Sequence, residues 1–210
     1  MLDWADYAKI FVALVIIVNP VSALPLFVSM TASNSEADKK HIARIASISV
    51  AVVLVLAAVI GHPLLALFGI TIASFKVGGA ILILLMAISM MHAAPNREKQ
   101  TPEEAREAEN KENIAVVPLA IPLLSGPGAI STTIVYATER SSPGHLGIII
   151  LCCLLVAFTT WLALRLATPV SKWLGETGVN IAIRLMGLLL AAVAVEILAS
   201  GLVVLLPGLK

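Results

Sequence analysis

Charge is scarce in this 210-residue chain: 13% of its residues are Asp, Glu, Lys or Arg, 59% are hydrophobic, and the mean hydropathy is +0.99. A soluble domain carries about 25% charged residues. So much apolar surface cannot hide in one small core, and lipid must be the solvent for most of it. Cysteine is nearly missing. Cys152 and Cys153 are neighbours in an apolar run, which excludes a disulfide framework and leaves two small packing residues. No basic cluster suggests nucleic acid. His41, His62, His92 and His145 share no metal-ligand spacing, so neither metal nor cofactor is expected. Enzyme chemistry also lacks its parts. There is no His-Glu-x-x-His, and Asp3, Asp6 and Asp38 fall outside the apolar runs. The ten aromatic residues are too few for a wide drug-binding cavity. The N-terminus is acidic where a secretory signal would be basic, so it is expected to be retained, with Trp4 and Tyr7 in the interfacial belt.

What the chain does have is long apolar runs. Six reach the roughly 20 residues a bilayer requires: 8–31, 42–61, 71–92, 114–137, 146–168 and 182–206. The second is expected to end in an irregular turn at His62-Pro63. The hydrophilic stretch from Asn96 to Asn113 holds six glutamates and four basic residues and divides three runs from three. An odd number of spans per half makes the halves enter the membrane in opposite senses, as in an inverted repeat. The sequence thus predicts an all-α integral membrane fold: one repeat over 1–93, a linker over 94–113, and an inverted repeat over 114–210. Lys76-Val77-Gly78-Gly79 and Arg184-Leu185-Met186-Gly187 occupy corresponding places in the two halves. Four of the fourteen basic residues (Lys9, Lys76, Arg140, Lys210) lie on the side of the termini, and the other ten lie opposite. The positive-inside rule then predicts both termini outside and the linker in the cytoplasm.

Two of the runs are interrupted alike. Asn19-Pro20-Val21-Ser22-Ala23-Leu24-Pro25 and Pro122-Leu123-Leu124-Ser125-Gly126-Pro127-Gly128 both contain Pro-x4-Pro with a serine between. Proline removes a donor and clashes with the preceding turn. In lipid a break is tolerated only where its polar groups face protein or a water-filled cavity. Paired breaks in the two halves of a chain point to a transporter binding site. The spacing predicts half-helices capped by Asn19 or Ser22, with Pro20 at the first helical position, and by Ser125 ahead of Gly126-Pro127-Gly128. Such N-termini suit a carboxylate, and the carbonyl ends before them suit an ammonium group. A small zwitterion fits both. Ser131, Thr132 and Thr133 add hydroxyls beyond the second break. Glu196 is the one carboxylate deep in the last run, sharing a helix face with Ala192 and Ser200. It reads either as a proton- or ammonium-coupling group or as a neutral acid hydrogen-bonded to a neighbouring helix. Arg184, about 18 Å away along a helix, is too distant to pair with it. Lys76 and Arg184 are expected to snorkel near span ends.

The residues Asn19-Pro20 with Pro25-Leu26-Phe27, Leu67-Phe68-Gly69-Ile70, the run Val117–Ile130 and the stretch Arg184–Ala192 resemble the MarC family of inner-membrane proteins. The likeness covers essentially the whole chain. It implies six spans in two inverted three-helix repeats, in a bacterial inner membrane. Members related to the small neutral amino acid transporter SnatA are implicated in moving glycine and alanine. The resemblance therefore implies a comparable substrate. By the reading of the two breaks it is bound around Asn19, Pro20, Ser22, Pro25, Ser125, Gly126, Pro127, Gly128 and Thr132. At the position of Glu196 the family often carries glutamine, which cannot exchange a proton. The expected function is secondary transport of small neutral amino acids by alternating access, coupled to a proton or sodium ion. The alternatives are export of drug-like molecules and a non-transporting membrane scaffold.

Overall fold

The computed structural model describes residues 3–92, 124–140, 142–206 and 208. Among them the chain is helical, without a strand. Its helices are α1 (Trp4–Val18), α2 (Pro20–Met30), α3 (Glu36–Leu67), α4 (Ile72–Met91), α5 (Pro127–Thr138), α6 (Pro143–Arg165) and α7 (Ala167–Leu205). Five stretches are long and apolar enough to cross a bilayer: Trp4–Met30, which joins α1 and α2, and then α3, α4, α6 and α7. Of the fourth predicted run, 114–137, only the part from Leu124 is described, and it carries the short α5. Pro122 and the hydrophilic linker lie outside the described residues.

Several predicted boundaries move. Helix α3 does not stop at His62-Pro63 but runs on to Leu67. A proline near a helix end forfeits one hydrogen bond there, and membrane helices tolerate that where neighbours pack around them. Helix α3 begins at Glu36 because Ser35 caps it, its Oγ accepting from the Asp38 amide at 3.2 Å. Helix α7 starts at Ala167, well before residue 182. It bends at Gly175, whose φ of 64° a side chain would resist. Leu166 alone joins α6 to α7.

The core holds aliphatic side chains from every long helix, with Leu14, Leu54, Val50 and Leu190 fully buried. Among the described residues, α1–α4 find their main partners in α5–α7: α3 lies on α6 and α5, α4 on α7 and α5, and α1 and α2 on α5, α6 and α7. Small residues allow the closest approaches. A Cβ on Gly187 would stand 3.1 Å from the Ala87 carbonyl oxygen, and one on Gly201 3.1 Å from that of Ala73. Glycine at these two positions lets α4 and α7 run antiparallel at close range.

Candidate functional site

The first break is a single residue. Asn19 has φ 48° and ψ 66°, the only non-glycine positive φ among the described residues, and it ends α1 while preceding α2. Asparagine is among the few side chains that tolerate this left-handed region. Its amide N–H still donates to the Val15 carbonyl at 2.9 Å, and helix resumes at once with Pro20. The restart therefore has Pro20 at its first helical position, and the alternative start at a Ser22 cap does not occur. Pro25 breaks nothing: it lies within α2 and is exposed on the outer surface. Asn19 already turns the chain, and proline's effect is then confined to one lost donor. Capping differs too. The Asn19 side chain makes no cap bond to α2, because the left-handed backbone turns it away, and its Nδ2 meets the Met90 sulfur at 3.4 Å. Ser22 Oγ donates backwards to the Asn19 carbonyl at 2.8 Å.

At the second break Gly126 is the N-cap of α5, in extended conformation, with Pro127 at the first helical position. Ser125 lies one residue too early to cap. It is buried, and its Oγ has no hydrogen-bond partner. Of the three hydroxyls beyond the break, Ser131 donates to the Gly128 carbonyl at 3.0 Å and Thr133 to that of Ala129 at 2.8 Å. Thr132, 2% exposed, has none for its Oγ1. Asn19 Oδ1 is unpartnered as well, in a residue with no exposed surface. Of the four such oxygens among the described residues, three belong to Asn19, Ser125 and Thr132; the fourth is that of Ser171 in α7.

Helix α4 brings the two breaks together. Met90 meets Asn19, while Ile83 faces Gly128, where a Cβ would stand 2.7 Å from Ile83 Cγ1 and 3.8 Å from Ile17 Cγ2 of α1. Those two α4 residues are two turns apart, about 10 Å. Gly79, one turn further, leaves room for Ser131. A cavity of about 720 Å³ adjoins the second break, lined by Ser125, Gly126, Pro127 and Ser131 and by Ser74 and Gly78 of α4.

Glu196 is not at these oxygens. It lines a separate cavity of about 690 Å³ with Lys9, Lys76, Tyr136, Glu139 and Ser200. Lys76, expected to snorkel at a span end, is half-buried in that wall instead, because Gly201 lets α4 press against α7. Glu139 follows the end of α5 and is exposed as a residue. Partial burial of its carboxyl nevertheless raises its pKa above the usual carboxylate value, against the opposing pull of Lys76. No ion pair joins Arg184 to Glu196 among the described residues.

A further polar cluster escaped the sequence reading. His145, fully buried, has Nδ1 3.0 Å from the Tyr7 hydroxyl and Nε2 2.7 Å from the Tyr136 carbonyl oxygen. A carbonyl only accepts, so Nε2 carries the proton and Nδ1 accepts from Tyr7. Tyr7, 4% exposed, is thus a strut tying α1 to α6 and not an interfacial belt residue; Trp4 is 82% exposed. Nothing in the local sequence marks a pair 138 residues apart.

Long apolar helices, packed across the two parts of the chain and broken at buried polar residues, define a multi-pass integral membrane protein. Residues 4–206 match the MarC family of integral membrane proteins, and the chain belongs to that family. It is 40% identical over 207 residues to the UPF0056 membrane protein BU267 of Buchnera aphidicola, covering 99% of this chain and 96% of that one. It is 39% identical, with the same coverage, to the UPF0056 membrane protein YhcE of Escherichia coli. The UPF0056 membrane protein MJ0972 of Methanocaldococcus jannaschii is 37% identical over 92% of this chain and 85% of its own. No solved structure matches the chain.

Proposed function

We propose that this protein is a secondary transporter of small neutral amino acids of the glycine and alanine kind. It works by alternating access and holds its substrate between the two helix breaks. The observation that carries the reading is the trio of buried, unpartnered oxygens on Asn19, Ser125 and Thr132. Leaving a buried polar group unpaired costs about 1–3 kcal/mol, and a solute with donors to offer would recover that cost. An ammonium group donates to such oxygens, and the start of α5 favours a carboxylate. Ile17 and Ile83, crowding Gly128, restrict the substrate to a very small side chain.

Helix pairing supports two inverted repeats, 1–93 and 114–210. Exchanging the halves maps the contact of α4 with α5 onto that of α7 with α2, and the contact of α3 with α5 onto that of α6 with α1 and α2. The pairs α3 with α6 and α4 with α7 map onto themselves. By its basic residues the protein sits with both termini outside and its linker in the cytoplasm. The coupling ion is a proton or sodium. A flux assay in reconstituted vesicles tests the proposal: glycine, alanine and serine should exchange across the bilayer, and Ser125→Ala should slow them at least tenfold. Folded, monodisperse protein that moves none of the three refutes it.

A further inference from the structure

The cavity around Glu196 runs along α1 from Ala5 to Ile16 and so ends within one helical turn of Asn19. Lys9 and Glu139 lie toward its outer end, and they, Glu196 and Ser200 are all exposed. Lys9 is taken up by Asp6 at 3.1 Å, whereas Lys76, Glu139 and Glu196 form no ion pair among the described residues. The backbone of Lys76 lies level with Gly201, where a glycine Cβ would stand 3.1 Å from Lys76 Cβ. Glu196 is five residues deeper on the same helix, about 7.5 Å along its axis. Lys76 and Glu196 thus face one cavity without an ion pair between them among the described residues. Between them there is room for a solute that carries both charges. Ser200 does not compete for it, because its Oγ donates to the Ile197 carbonyl at 2.8 Å.

We propose that this cavity is a second binding site for a small zwitterion, a vestibule in which Lys76 takes the carboxylate and Glu196 the ammonium group. The proposal extends the transport reading to a site separate from the helix breaks. It also sets the orientation of the solute. The ammonium group lies inward, toward the carbonyl end of α1, whose dipole favours a cation. The carboxylate trails outward on Lys76. Glu139, at the mouth, screens against solutes bearing only negative charge.

Equilibrium binding of radiolabelled L-alanine to purified full-length protein tests this, with stoichiometry as the readout. The wild type should bind two molecules per chain. Glu196→Gln and Lys76→Gln should each weaken one of them at least tenfold and leave the other untouched. Asn19→Gly combined with Ser125→Ala should remove the second and keep the first. In that combined variant, N-acetylalanine and alaninamide, each lacking one charge, should compete at least tenfold worse than alanine. A wild-type measurement guards against variants that fail to fold: the vestibule site should weaken as salt is raised, since it is reached through exposed charges. A stoichiometry untouched by both cavity variants, or an alaninamide that competes as well as alanine, overturns the vestibule and leaves the central site standing. Loss on the cavity variants with no effect of the Asn19 and Ser125 changes overturns the central site and keeps the vestibule. Absence of any alanine binding to folded wild-type protein overturns both.

Discussion

Asn19 serves two roles that substitution can separate. Its backbone occupies the left-handed region at φ 48°, and its side-chain Oδ1 is buried without a partner. Asn19→Ala removes the side-chain oxygen and also strains the left-handed backbone, whereas Asn19→Gly removes only the side chain. A left-handed alanine costs roughly 1–2 kcal/mol. Glycine escapes that strain but gives up about 0.5–1 kcal/mol in backbone entropy. The alanine variant should therefore be the less stable of the two by about 1 kcal/mol. In a chain of this size that lowers Tm by about 2–4 °C. The Nδ2 contact to Met90 is a long one to a weak acceptor and adds little to either difference. Binding should behave otherwise. If Oδ1 accepts from a substrate ammonium, a charge-assisted bond of about 1.5–3 kcal/mol is lost equally in both variants. Alanine affinity at the central site should then fall roughly 10- to 100-fold in each. Thermal melts in detergent give the first comparison and equilibrium binding the second. Wild-type affinity in Asn19→Gly refutes a substrate role for the amide, and equal Tm values for the two variants refute the strain argument.

Two other outcomes can be checked. Tyr7→Phe deletes the hydroxyl that donates to buried His145 and strands Nδ1, so stability should fall by about 1–3 kcal/mol. Transport by the surviving folded protein should be unchanged, and a melting curve beside a flux assay reads both. For orientation, Arg140→Cys should react with an impermeant thiol reagent in intact cells, and Ser33→Cys only after permeabilisation. The native Cys152 and Cys153 are buried and should stay silent. The reverse labelling pattern refutes the predicted orientation.

Apolar length was plain in the sequence, because a bilayer demands unbroken runs and supplies no other solvent. Helix ends were less legible. Pro63 and Pro25 read as breaks, yet both lie within helices, since packing from neighbouring elements outweighs one lost donor. The breaks themselves were visible as proline and glycine clusters, but their geometry was not. That Asn19 would take a left-handed turn, and that Ser125 would stand one place ahead of the cap, depends on how the residues around each break pack against α4. Thr132 is singled out from Ser131 and Thr133 only by which hydroxyl the helix backbone leaves unused. Lys76 and the Tyr7–His145 strut were opaque for a different reason: their partners are remote in sequence, and a single chain carries no sign of which distant residues will face each other.

Since, among the described residues, α1–α4 rest chiefly on α5–α7, the half synthesised first has few contacts of its own to hold it together. Its segments must wait in the membrane as separate rods, shielded only by acyl chains, until translation delivers their mates. A truncation after the third rod would yield an inserted but unassembled product, exposed to quality-control proteases. Supplying the missing half as a separate polypeptide would be expected to rescue it.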